Sequence, residues 1–384
     1  MPLILALILF FSVTTGAPSA SAAEIPSTAV KQSDLAKKII DAFGWSEGLP
    51  ENPGAKDYLA ILGGDRTFRF EAEEVFDRQS DAVSVRNSPL FGAFTGGGWL
   101  SGISTPTAVH FRVFIPISGN YSLKASARGD EQLWSIAGRA FKAKFSDSLQ
   151  ERKIGEVFIP SGFLEFNALI PPAAGIDYLL FTAPAHRAIE PAAGWNFSAP
   201  LTAAVLAETA SSLLGNEQLL PDDTTSAVKK IEASSAALPA GTQLTEKQVY
   251  GKPVAARWVR ATQAPATLAI PVDVDSSGVY RLRIRGMGSE ITAGFGARKV
   301  TLPAKPYLEW IDFGTFRLQK GTRVLEVRLP PSGGADLIEI NRKLSTAAAY
   351  LAVNKLTVKA DAAVHPEELD AVIKSLQEQF KERK

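Results

Sequence analysis

The sequence predicts a mainly-β chain built from two β-sandwiches. Three observations predict it: two stretches of strand-like alternation, a register of 159 positions that relates them, and closely spaced glycine and proline turns. In the first stretch Val109, Phe111, Val113 and Ile115 alternate with His110, Arg112 and Phe114. In the second, Leu268, Ile270, Val272 and Val274 alternate with Ala269, Pro271 and Asp273. A two-residue apolar period is that of a strand with one buried face, because successive side chains point to opposite sides. Each stretch runs into Ser-Gly-x-Tyr-x-Leu, starting at Ser118 and at Ser277, which reads as a turn and a second alternating strand. Pro271 marks an edge strand or a bulge, since proline cannot donate to a ladder.

The same register extends well beyond these strands. Trp99 falls on Trp258, Arg139 on Arg298, Gly155 on Gly314 and Gly162 on Gly321. The run Ile170 to Asp177 (IPPAAGID) falls on Leu329 to Asp336 (LPPSGGAD), with no net insertion back to the tryptophans. Composition alone does not hold register over that distance, so a duplicated domain is expected, with sandwiches at 66–183 and 227–343. Short strands separated by glycine and proline turns favour sandwiches over βαβ units.

The rest of the chain is organised around these two bodies. Met1 to Ala23 has an apolar core from Leu3 to Val13 and a small-residue cleavage pattern near Ala20-Ser21-Ala22, as in a secretory signal. Residues 24–65 carry a helix over Ser33 to Phe43 and a proline-containing loop. Leu35, Ile39, Ala42 and Phe43 share its face, and Gly44 is placed to end it. Residues 184–226 form an alanine-rich connector with a second helix, in which Leu206-Ala207 and Gly215 repeat Leu35-Ala36 and Gly44. Residues 344–384 end in an amphipathic helix from Pro366, with Leu369, Val372, Ile373, Leu376 and Phe380 on one face. That face suits docking on its own chain, or a dimer contact.

Composition excludes several classes of function. The chain has 384 residues, a formal charge of +1 and no cysteine. Disulfides, thiolate catalysis and cysteine zinc sites are therefore absent, and a nucleic-acid binder with a wholly basic surface is not expected. No segment after the signal is apolar enough to predict a transmembrane helix. A periplasmic or extracellular location, in a bacterium, follows from the signal and the cysteine-free β-rich chain.

Glu71-Ala-Glu73 on the first strand, the later Val-x-Ile-Pro-x-Ser-Gly-x-Tyr-x-Leu pattern, a glycine-led strand near the end and Asp177 or Asp336 on the last strand carry a resemblance. Together they resemble carbohydrate-binding modules of families 6 and 35, which have a galactose-binding-like jelly-roll sandwich. The resemblance covers most of both copies. It implies a structural calcium held by Glu71, Glu73 and Asp177 in the first copy, since hard cations prefer clustered oxygens. Glu232 and Asp336 are the counterparts in the second, where Ser234 replaces a glutamate. Pairing of these acids with nearby arginines is the alternative.

The resemblance also implies aromatic rings that stack on a sugar. Trp99 and Trp258 stand near the place of one ring, although a tryptophan present in both copies is also the mark of a core residue. Trp310, with Tyr307 nearby, resembles the second ring, and the first copy has Glu151 there. The second copy carries 18 basic and 10 acidic residues against 12 and 12 in the first. Arg281, Arg283 and Arg285 alternate along one strand, as on a solvated face or a patch for an acidic polysaccharide or a lipid headgroup. No enzyme motif is found: His110, His186 and His365 are isolated in sequence, and Gly96-Gly97-Gly98 reads as a flexible loop. The expected function is a secreted, non-catalytic binding protein for envelope or extracellular polysaccharide. The alternative is an envelope assembly protein whose sandwiches contact another envelope protein.

Overall fold

A computed structural model describes residues 30–50, 52–79, 81–183 and 187–381. The expected signal, 1–23, lies outside the described residues. The chain divides into two compact units, Ser33–Ala188 and Ile189–Lys384, the second including the N-terminal segment that ends at Gln32.

The first unit opens with helices α1 (Gln32–Ala42) and α2 (Ala55–Leu62). Strand β1 (Thr67–Glu71), the single turn α3 (Ala72–Val75), β2 (Val83–Arg86) and β3 (Trp99–Gly102) follow. Next come β4 (Thr107–Ile115), β5 (Gly119–Arg128), β6 (Glu131–Ile136) and β7 (Arg139–Lys144). The last three are β8 (Gln150–Ile159), β9 (Gly162–Ile170) and β10 (Gly175–Thr182). One sheet runs β2-β3-β10-β5-β8, with β1 on the free part of β10, and the other runs β4-β9-β6-β7. Inward residues of both sheets make the core, where Phe111 stacks with Phe166 at 5.1 Å and with Trp134 at 6.3 Å.

The second unit contains α4 (Ala203–Leu214), then β11 (Lys229–Glu232), β12 (Thr242–Thr245), β13 (Trp258–Ala261) and β14 (Ala266–Val274). After these come β15 (Gly278–Met287), β16 (Glu290–Phe295), β17 (Arg298–Pro303) and β18 (Glu309–Leu318). Strands β19 (Gly321–Leu329) and β20 (Gly334–Arg342) complete the sandwich, and α5 (Ala347–Val353) and α6 (Pro366–Lys381) follow it. Its sheets run β12-β13-β20-β15-β18, with β11 on β20, and β14-β19-β16-β17. The strand orders of the two sandwiches are the same. Each of β3 to β10 begins 159 residues before its counterpart among β13 to β20.

Local chemistry explains the recurring signals. The tyrosine of each Ser-Gly-x-Tyr motif is buried and donates its hydroxyl to a carbonyl four residues back. Tyr121 reaches Ile117 O at 2.5 Å, and Tyr280 reaches Ser276 O at 2.6 Å. Pro271 sits on edge strand β14 with its side chain exposed, where the missing N–H leaves no core ladder bond unmade. Helix α4 starts at the Thr202 cap, whose hydroxyl accepts from Val205 N, and ends at Gly215 with φ +72°. Helix α6 buries Leu369, Val372, Ile373 and Leu376 and packs against α4, so its apolar face is docked on its own chain. No helix among the described residues is long and apolar enough to cross a membrane.

Candidate functional site

Trp99 and Trp258 are core residues, which corrects the placement of Trp258 among the ligand-facing rings. Both are fully buried. Their indole Nε1 groups donate to the carbonyls of Ser88 and Lys247, each at 3.2 Å. The last strand opens a slot for each ring: a Cβ at Gly175 would stand 2.5 Å from Trp99 Cζ3, and one at Gly334 2.4 Å from Trp258 Cζ3. The partly exposed ring at that place is Tyr250, edge-on to Trp258 at 6.0 Å and under the Arg260 guanidinium at 4.8 Å. Its counterpart is Phe91, edge-on to Trp99 at 6.0 Å and under Arg128 at 3.6 Å. Sequence reasoning missed this pair, although both positions are aromatic and 159 apart.

The three acids of the first copy lie around one loop, Thr95 to Gly97. Glu71 Oε1 accepts from Arg69 Nε at 2.8 Å, and Glu71 Oε2 accepts from the Thr95 hydroxyl at 2.8 Å. Arg69 also donates to that hydroxyl and lies 3.6 Å from the centre of the Tyr178 ring. Asp177 accepts from Thr95 N at 3.0 Å and from the Ser126 hydroxyl at 3.1 Å. Glu73 Oε1 accepts from Gly97 N at 2.7 Å, while Oε2 is buried with no partner. Burial pushes Glu73 up to about 7, against the Gly97 hydrogen bond that lowers it and with Glu71 and Glu74 adding to the rise. Burial also raises Asp177 above its ordinary value. The glycines here are not merely flexible. Gly96 has φ +61°, and a Cβ on it would stand 2.2 Å from Glu73 Oε1, so the loop closes on that carboxyl only with glycine.

This donor set does not fit a resident calcium in the arrangement described. Glu71 and Asp177 are engaged by a guanidinium, hydroxyls and a backbone N–H. Among the described residues, no group of three or more histidines and acids is gathered closely enough to hold a metal ion. In the second copy Asp336 is fully buried and accepts from Val254 N at 2.7 Å and Ala255 N at 3.1 Å. Arg285 Nη1 meets it at 2.5 Å, and Nη2 donates to the Lys252 carbonyl at 2.8 Å. Ser234 turns its hydroxyl to Glu232 at 3.2 Å.

The remaining candidates except Tyr307 share the outward face of the β20-β15-β18 sheet. Arg281, Arg283 and Arg285 alternate with buried Leu282 and Ile284, as the pattern requires. Each of the three meets an acid across a strand. Arg281 contacts Asp312 at 2.5 Å, Arg283 contacts Glu339 at 3.5 Å, and Arg285 contacts Asp336. Burial is the largest single influence on the Asp312 carboxyl and acts to raise it, but the hydrogen bonds from Arg281 and Gly314 N together with the Arg281 and Arg283 charges hold it below its ordinary value. The basic excess of this copy is therefore not concentrated in the arginine row. Trp310, half-buried, stands opposite Arg285 in the ladder, with the Arg283 guanidinium 4.9 Å from its ring centre. Tyr307 lies in the loop before β18, 46% exposed, with Lys305 Nζ 5.8 Å from its ring. His110 is not isolated in space: its Nδ1 is 2.7 Å from Asp81 Oδ1.

No protein-family model matches the chain, and no curated relative does. Solved structures similar to it include a GH26-CBM35 β-(1,4)-mannanase from Podospora anserina, at 17% identity and TM-score 0.27 over 30% of this chain. A xanthan lyase from Paenibacillus aligns over 71% of the chain at 14% identity and TM-score 0.28. The C-terminal CBM6 of a marine laminarinase from Zobellia galactanivorans aligns over 30% at 16% identity and TM-score 0.26. The aligned part spans 28% of the mannanase, 26% of the lyase and all of the CBM6 module.

Proposed function

We propose that this chain is a secreted, non-catalytic glycan-binding protein of the cell envelope or extracellular space, its two sandwiches descended from one duplicated module. Support for the duplication is the common strand order and the 159-residue register. The binding surface is the outward face of β15 and β18, where a sugar ring stacks on Trp310. The observation that carries this reading is the half-exposed Trp310 ring beside Arg283, flanked by Arg281, Asp312 and Glu339. A flat apolar surface among fixed donors and acceptors suits the CH face and the hydroxyls of a pyranose. Because the arginines are already paired, the surface offers hydrogen bonding more than net positive charge. Neutral glycans therefore fit it at least as well as acidic ones.

A polysaccharide pull-down or glycan array on the full chain, repeated with Trp310→Ala, tests this. One stacked ring contributes on the order of 1 kcal/mol, so the variant should bind several-fold more weakly with an unchanged melting temperature. Unchanged affinity would move the site elsewhere. Raising the salt concentration should matter little if stacking dominates. A second reading, contact with another envelope protein, is favoured by Phe158 and Phe163 of the first sandwich. These rings are 56% and 66% exposed, and Phe163 is edge-on to Phe114 at 5.4 Å.

A further inference from the structure

At the Ser276–Gly278 turn end of the second sandwich, connector residues Glu190 and Gly194 meet Gly278, Arg317, Arg342 and Ser345 around a cavity of about 520 Å³. That volume falls within the range of small-molecule sites, roughly 300–1,000 Å³. Arg317 is held firmly. Its Nε donates to Glu217 at 2.6 Å, and its Nη1 donates to the carbonyls of Glu190 at 2.8 Å and Pro191 at 2.7 Å. Its Nη2, however, is buried without a partner. Arg342 Nη1 reaches Asp223 at 3.3 Å, and its Nε is likewise buried without a partner. Gly278 leaves the space in front of that Nε open: a Cβ there would stand 3.4 Å from Arg342 Nε and 3.7 Å from Ser345 Oγ.

Two buried donors on one cavity wall cost free energy until something accepts from them. The guanidinium charges are already balanced, Arg317 by Glu217 with Glu190 at 3.7 Å, and Arg342 by Asp223. What the cavity lacks is acceptors, not negative charge, and an added anion would meet the Glu190 carboxylate in its lining while both guanidinium charges are already answered. The first sandwich has Phe158 and Ala183 at the corresponding positions, so the feature belongs to the second alone.

We propose that this cavity binds a neutral polyhydroxyl group of monosaccharide size, whose oxygens accept from Arg317 Nη2 and Arg342 Nε. It is a site separate from the Trp310 face, and it rests on the glycan reading only for the choice of sugars as probes. The test is titration calorimetry of the full chain with glucose, galactose, mannose and xylose, and with glucuronate and galacturonate. At least one neutral sugar should bind saturably in the roughly millimolar range, more tightly than either uronate. Gly278→Leu, which fills the space in front of Arg342 Nε, should weaken that binding at least tenfold. If that variant does not fold, Ser345→Val narrows the same wall and carries the same expectation. Absence of saturable binding, tighter binding of a uronate, or wild-type affinity in the folded cavity variant would each overturn the proposal. Polysaccharide binding measured in parallel separates the two sites. Loss of polysaccharide binding with Trp310→Ala alone upholds the sheet face whatever the sugar titrations show, whereas loss with the cavity variant alone overturns the sheet-face reading and supports the cavity.

Discussion

In the first sandwich the guanidinium beside the last-strand acid comes from Arg69 on β1, whereas in the second it comes from Arg285 on β15. These strands lie on opposite sides of the last strand, β10 or β20. The job is the same in both copies: the aspartate accepts from the backbone N–H of Thr95 or Val254, positions 159 apart, and so pins the loop ahead of the tryptophan strand. The backbone bond is common to both, while the compensating charge has moved from one neighbouring strand to the other. In the first copy it serves Glu71 and Thr95, leaving Asp177 with neutral donors. In the second it meets Asp336 directly. A shared fold thus fixes which backbone groups must be satisfied, but not which side chain supplies the charge.

Four measurements sharpen or break this comparison. The largest effect is expected where the copies agree. Trp99→Ala and Trp258→Ala each remove a fully buried indole and should cost about 3–5 kcal/mol by denaturant unfolding of the full chain. A large difference between them would mean that the two slots are not equivalent. Next, Asp336→Asn strands the nearly buried Arg285 and should cost about 2–3 kcal/mol, against about 1 kcal/mol for Asp177→Asn, whose partners are neutral. Equal costs would remove the proposed difference.

Third, Glu73 has no counterpart in the second copy, and it should make the first unit lose stability with rising pH. Its folded value near 7 exceeds the unfolded 4.5, so the folded state holds the proton longer. The contribution is full below about pH 4.5 and is lost as pH rises through about 7, on the order of 2 kcal/mol. Thermal unfolding of Glu73→Gln should show this slope flattened, and an unchanged slope would assign it to other groups. Smallest of all is the effect of metal. With Glu71 and Asp177 already engaged, calcium and chelator should give the same melting temperature, and a rise with calcium would restore the metal reading.

How much of this was legible in the sequence depends on the distance over which each signal acts. Alternation along β4 and β14, the Tyr121 and Tyr280 turns and the helix ends at Gly44 and Gly215 are set by residues close in the chain, and they read directly. The 159-residue register carried the strand order of one copy to the other without naming it. Trp258 was open to misreading because its seat is Gly334, 76 positions on, although Trp99 and Gly175 repeat the same pair at the same spacing. The arginine row could be read as a solvated face or as a basic patch because Asp312, Glu339 and Asp336 reach it from strands beside β15 in the sheet but far from it in sequence. The acid cluster could be read as a metal site or as arginine-paired acids because carboxylates alone do not reveal that Arg69 engages Glu71 while hydroxyls and a backbone N–H engage Asp177. Tyr250 and Phe91 carried a usable signal, an aromatic at matching positions.

The segment at Val30–Gln32 hydrogen-bonds to Ala199–Leu201: Gln32 N donates to Ala199 O at 3.0 Å, and Leu201 N donates to Val30 O at 2.7 Å. Val364 N in turn donates to Leu201 O at 3.1 Å, just ahead of α6. A chain emerging from its amino end can therefore close the first sandwich while its own leading segment still waits for partners made much later. That segment is held in place only after the connector has appeared, and α6 comes last of all. Completion of the second unit is a late, long-range event, the kind of closure that is slow and leaves apolar surface open in the meantime. Truncation anywhere before Val364 would leave this seam without its bond from Val364 to Leu201.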